Sequence, residues 1–131
     1  MLPEGVLKNF IEKIEDTFVA LEEEVKIGRI RSYGVSSSAF SSMPEAMFPF
    51  KRMLHVAAVA ASKVGNKSHS FKTIEFPLNL LERRGLAVAQ WAKQKGLRVV
   101  TSRPLTGVTM EGAYRLVGEP VSSGRSQVKK A

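Results

Sequence analysis

The sequence predicts an α/β fold in which about three parallel strands alternate with helices. Apolar residues recur every three or four positions in several long segments, the period of a helix with one packed face. Short runs rich in β-branched and aromatic residues, closed by Ser, Pro or Gly, fall between them and read as strands. The two kinds of segment alternate in the order helix, strand, helix, strand, helix, strand. That order calls for right-handed βαβ crossovers, and therefore for a parallel sheet.

The first helix is predicted from Pro3 to Gly28, on the stripe Val6, Phe10, Ile14, Phe18, Leu21 and Val25. Pro3 suits a first helical turn and Gly28 a stop. Glu22 and Lys26 are spaced as an i,i+4 ion pair on its surface. Arg29 to Ser36 reads as the first strand, with its body at 30–36 and three serines at its end. Met43 to Val64 reads as the second helix. Pro49 sits about a turn after Pro44, so the regular part is expected to start near Pro49, and Val64-Gly65 marks its end.

Phe71 to Leu78 reads as the second strand, and Pro77 implies that pairing stops there or meets an edge. Leu80 to Lys95 reads as the third helix, with the stripe Leu81, Leu86, Ala89, Trp91 and Ala92. Gly85 is placed to delay its start and Gly96 to end it. Leu97 to Ser102 reads as the third strand, closed by Arg103-Pro104-Leu105. Beyond Thr106 periodicity fades; Tyr114 to Val117 are expected to pack locally. One domain over 1–118 follows, with a disordered tail over 119–131 that is rich in Ser, Gly and Lys. Three strands cannot close into a barrel, so the sheet is expected to carry two open edges.

Composition narrows the functional classes. With 131 residues, 44% of them hydrophobic, the chain has material for one cored domain. The longest mostly apolar stretch, Leu54 to Ala61, is about two helical turns and does not span a bilayer. The start lacks the basic and apolar regions of a secretory signal. No cysteine is present, which excludes disulfides and thiolate chemistry and fits a reducing, cytoplasmic setting. The net charge of +8 favours polyanions, but the basic residues are spread as pairs such as Lys51-Arg52, Arg83-Arg84 and Lys129-Lys130. A nucleic-acid-binding role is therefore only a subsidiary expectation. His55 and His69 stand 14 residues apart without metal-site spacing, so no metal ligand is assigned.

Three motifs in order carry a resemblance. The first is Lys26-Ile27-Gly28-Arg29-Ile30-Arg31, leading into Tyr33-Gly34-Val35-Ser36. The second is Ile74-Glu75-Phe76-Pro77-Leu78-Asn79. The third is the helix around Gln90-Trp91-Ala92 followed by Ser102-Arg103-Pro104-Leu105. Together, at spacings of about 40 and 25 residues, these resemble the C-terminal half of the aldo-keto reductase family, over most of Leu21 to Leu105.

The resemblance implies a partial (β/α)8 TIM barrel, the three strands standing fifth, sixth and seventh, with NADP bound at their C-terminal ends. It implies hydride transfer to a small-molecule aldehyde or ketone. The family's Asp, Tyr, Lys and His tetrad would lie upstream of Met1, and its phosphate-gripping loop beyond Ala131. Tyr33 and Tyr114 do not match the tetrad tyrosine, so no catalytic residue is assigned and this stretch alone is expected to be inactive.

The family holds the nicotinamide carboxamide with a Ser-Asn pair and a Gln, and stacks the ring on an aromatic residue. Ser36 matches the serine. Ser37 stands where Asn is usual, Glu75 where Gln is usual, and Ser102 where the aromatic is common. Arg103 is carried as a cofactor contact or a rim charge. Each has a plain structural alternative: Ser36 to Ser38 as turn caps, Glu75 as a solvated strand residue, Asn79 as an Asx-turn. The competing function is a non-enzymatic module that pairs through its open sheet edges with a second copy or with a missing half-barrel chain.

Overall fold

Helix α1 spans Glu4–Lys26 and buries its face through Phe18 and, unexpectedly, Glu22. The computed structural model describes residues 3–43 and 49–118. The expected tail over 119–131 lies outside the described residues, as does 44–48 of the second helical segment. The remaining elements are β1 (Tyr33–Ser36), α2 (Ala39–Ser42), α3 (Arg52–Val64), β2 (Phe71–Pro77), α4 (Leu86–Gln94), β3 (Arg98–Ser102), β4 (Thr106–Thr109) and β5 (Gly112–Arg115).

Strands β1, β2 and β3 form a parallel three-stranded sheet in that order, as the alternation of segments predicts. The sheet is open and not closed into a barrel. Pairing sets Gly34 opposite Thr73 and Ser36 opposite Glu75. It sets Thr73 opposite Arg98 and Glu75 opposite Val100. Because side chains alternate along a strand, these six share one face, and none of them is buried. The other face carries Val35, Ile74, Phe76 and Val99, which join the core under the helices. A parallel sheet is normally covered on both faces; among the described residues this one is covered on one.

Aromatic rings fill the covered side. Phe18 stacks on Phe71 at 5.4 Å and meets Tyr33 edge-on at 5.1 Å. A second group joins Phe40 to Phe76 and Phe50, and Phe50 to Trp91. Helix α3 packs on α1 through Ala57, Ala60 and Ala61, all buried; their small side chains let the two backbones approach closely. Lys63 pairs with Glu15, and the Lys26 ammonium donates to the Val64 carbonyl at 2.8 Å. Gly65 ends α3 in the left-handed region at φ 85°, where Asn66 N–H donates back to the Ala61 carbonyl at 2.9 Å.

Several boundaries differ from those expected. The first strand starts at Tyr33, not Ile30, because Arg29 and Ile30 still donate to the Glu24 carbonyl and finish the helix. The third helix starts at Leu86, not Leu80. Asn79 Oδ1 accepts the Leu81 and Glu82 N–H groups at 3.0 and 2.9 Å, an Asx-turn that holds 79–82 out of the helix. Helix α2 fell within what reads as loop. The stretch after Thr106 is an antiparallel hairpin of β4 and β5, with Met110-Glu111 at its tip. No helix among the described residues is long and apolar enough to cross a membrane.

Glu22 does not form the expected surface pair with Lys26. It is fully buried and accepts from Tyr33 Oη at 2.8 Å, Asn66 Nδ2 at 2.8 Å and Ser70 N–H at 2.7 Å. The carboxylate thus ties α1 to the start of β1, the turn after α3 and the entry to β2.

Candidate functional site at the C-terminal rim of the sheet

Parallel strands deliver their last residues to one edge of the sheet, and open α/β sheets bind ligands beyond those carboxyl ends. Here that edge carries Ser36, Glu75 and Ser102. Ser36 Oγ donates to Glu75 Oε1 at 2.8 Å, joining residues 39 positions apart in sequence. Ser37 N–H donates to the Glu75 carbonyl at 2.9 Å. Its own Oγ accepts from Ala39 N–H at 3.1 Å, so Ser37 caps the turn into α2. The structure therefore joins the Ser36 and Glu75 side chains on the sheet's uncovered side, while Ser37 meets Glu75 through its backbone alone.

A carboxylate has about four lone-pair positions. With one oxygen serving Ser36, Glu75 retains capacity for another donor, such as an amide NH2. The Ser37 hydroxyl, accepting from Ala39, keeps its own proton to give to a carbonyl oxygen. The Ser36–Glu75 pair can thus accept from the NH2 end of a primary carboxamide.

Ser102 is half-buried and sits opposite Pro77, on the far side of β2 from Ser36. Arg103 is a non-glycine residue in the left-handed region, at φ 50°. Its guanidinium donates to Glu82 Oε1 at 2.6 Å. Glu82 Oε2 accepts from Asn79 Nδ2 at 2.8 Å and from Val108 N–H at 3.0 Å, and Asn79 Nδ2 also donates to the Arg103 carbonyl at 3.1 Å. Arg103 thus pairs with Glu82, in a latch that fastens the hairpin to the loop after β2.

Sequence reasoning missed Glu82, although its spacing of three from Asn79 was a usable signal. Glu82→Ala should cost about 1 kcal/mol, since the pair is partly solvated but the Val108 amide loses its acceptor. Amide exchange at Val108 should quicken in that variant while exchange in β2 stays unchanged.

The opposite end of the sheet holds the Glu22 network. Burial, and then the hydrogen bond and charge of Glu22, push the Tyr33 hydroxyl far above the usual tyrosine range. Tyr33 is therefore a fixed donor to Glu22. Nearby, burial holds the His69 imidazole below its ordinary pKa, with Lys72 adding to the effect. Among the described residues its buried Nδ1 has no hydrogen-bond partner.

Compared with family models, with curated proteins and with solved structures, the chain gives no match.

Proposed function

We propose that the chain is an arc of an aldo-keto-reductase-like (β/α)8 barrel whose rim cluster holds the nicotinamide carboxamide of NADP. The observation that carries this reading is the Ser36–Glu75 hydrogen bond at the carboxyl ends of adjacent parallel strands. In this reading Ser36 holds the Glu75 carboxylate, Glu75 accepts from the amide NH2, and the Ser37 hydroxyl donates to the amide oxygen. The uncovered sheet face, with Gly34, Thr73 and Val100, is the lumen side of the barrel arc. NADP brings the hydride; this chain's residues orient the ring that carries it, and no proton donor for a carbonyl is assigned within them.

The test is binding, not turnover. Saturation-transfer NMR with NADPH should show contact to the nicotinamide protons, with a Kd in the range of about 0.1–1 mM for so partial a site. Ser36→Ala and Glu75→Ala should each weaken it about tenfold, one good hydrogen bond's worth. No nicotinamide contact, or contact unchanged in both variants, would remove the proposal.

The one-sided cover of the sheet favours a second reading, an interaction module. Among the described residues, edge strands β1 and β3 present unpaired backbone groups, which can pair with a second copy or with a chain supplying further strands. Sedimentation across a concentration series distinguishes the two, since a monomer throughout argues against self-pairing.

A further inference from the structure

The three turns that enter the sheet, 27–32 before β1, 65–70 before β2 and 95–97 before β3, all sit at the amino-terminal end of the parallel strands. Adjacent strands stand about 4.8 Å apart, so the topology gathers the charges of these turns onto one surface. Arg31, Lys67, Lys72, Lys95 and Arg98 are all exposed there. None of the five takes part in an ion pair among the described residues. The three turns contain no acidic residue. Of the carboxylates nearby, Glu22 is buried and engaged by Tyr33, Asn66 and Ser70, and Glu24 is paired with Arg29. Glu23 on the last turn of α1 is left, with three helix carboxyl ends that each carry about half a negative charge; five full cations outweigh them. Burial first, and then the charge of Lys72, hold His69 below its ordinary pKa, so it adds no charge at neutral pH. The chain leaves the described residues only toward the other end of the sheet, at Pro3, Met43, Pro49 and Gly118.

We propose that this amino-terminal surface docks the sugar-phosphate backbone of duplex nucleic acid. The complementarity is one of charge. A duplex carries one negative charge for about every 1.7 Å of its axis, and the surface offers unpaired cations from three adjacent turns. Arg31 and Arg98 bring forked donors that match phosphate oxygens, and the lysines bring point charges. Such contacts carry no base information, so the docking is independent of sequence. No Phe, Tyr or Trp lies in the three turns, and the stacking platform on which single strands are held is missing. Ile27 is the one large apolar side chain of these turns that is exposed, too little to seat the surface in a bilayer interface. A rigid duplex is therefore favoured over either. The surface stands at the far end of the strands from Ser36 and Glu75 and does not depend on the NADP reading.

The probes are two short fluorescein-labelled DNA duplexes of unrelated sequence, titrated with the full chain and read by anisotropy. Both should bind saturably and alike, with a Kd of about 1–100 µM in dilute salt. Log K should fall linearly with log salt, at about −0.9 for each phosphate met, and so with a slope of about −3 to −4.5 for this surface. Arg31→Gln, Lys72→Gln and Arg98→Gln combined should flatten that slope by about 3 and weaken binding at least about tenfold. An unchanged far-ultraviolet spectrum and melting temperature establish that the triple variant is folded. Lys67→Gln with Lys95→Gln, both outside the strands, should flatten the slope by about 2. As a control, Arg52→Gln, Arg83→Gln and Arg84→Gln remove the same charge as the triple variant from exposed positions toward the other end of the sheet. At about 0.1 M salt that control should change affinity by less than about threefold, because screening confines each charge to its neighbourhood. Phosphatidylcholine vesicles containing phosphatidylserine should bind more weakly than the duplexes at equal salt. No binding in dilute salt, parental slopes in both folded surface variants, an equal loss in the control, or tighter binding to the vesicles overturns the assignment.

Discussion

Glu22→Ala should destabilise the fold by about 3 kcal/mol or more. The carboxylate is fully buried and receives hydrogen bonds from Tyr33, Asn66 and Ser70. Its removal leaves those donors without their acceptor, at about 1–3 kcal/mol for each one that water cannot reach. It also opens a gap between α1 and the first turns of β1 and β2. For a chain of this size the melting temperature should drop by roughly 10 °C or more. Glu22→Gln keeps the shape but turns one acceptor into a donor, and should cost about half as much. Urea unfolding of the two variants checks both figures; an alanine variant as stable as the parent would show that the network contributes nothing.

The same network gives an alkaline signature. Burial and Glu22 keep the Tyr33 hydroxyl protonated in the folded chain well above the usual range. The unfolded chain releases that proton near pH 10. Above about pH 10 the folded state therefore binds more protons than the unfolded, and stability falls as pH rises. Below that value the contribution is fully present. Tyr33→Phe has no proton to lose, so the stability gap between parent and variant should narrow from pH 10 upward. A gap that stays constant to pH 11 would contradict the coupling.

Gly34→Ala is expected to be the most disruptive single change on the sheet. A Cβ there would lie 2.2 Å from the Thr73 carbonyl oxygen and 2.8 Å from Thr73 Cβ. The obstacle is mainly backbone, which cannot swing aside as a flexible side chain does. Either β1 moves off β2 or the pairing slips, in a region where the register already shifts between Tyr33 and Gly34. The cost should be at least about 2 kcal/mol, at the upper end of overpacking effects. Ser36 is two residues further along β1, so its bond to Glu75 should lengthen or break. Urea unfolding measures the loss, and the Ser37 amide, which donates to the Glu75 carbonyl, should lose its protection from exchange. A variant with unaltered midpoint and protection would mean that the strands have more room between them than their geometry indicates.

The parallel sheet was legible because its strands are short, β-branched and closed by turn residues, and because helices separate them. Asn79 was legible too, since asparagine at a strand end favours the Asx-turn it forms here. Glu22 was not, although it lies four residues after Phe18 and three before Val25 on the buried stripe. A glutamate is almost always solvated, and nothing local announces that Tyr33, Asn66 and Ser70 will converge on it. The β4–β5 hairpin was missed because each strand is four residues long, too short for alternation to register. Of the rim, Ser36 and Glu75 were named from motif positions alone; that they touch is a matter of register, which no single segment encodes. The ion pair of Arg103 with Glu82 was likewise hidden, because the two stand 21 positions apart.

The half-clothed sheet has a colloidal consequence. Among the described residues, strands β1 and β3 leave unpaired edges, while the chain as a whole carries a charge of +8. Like charge holds copies apart over roughly one Debye length, about 10 Å at 0.1 M salt and 3 Å at 1 M. In dilute buffer repulsion therefore helps to keep these edges apart, and concentrated salt weakens that guard.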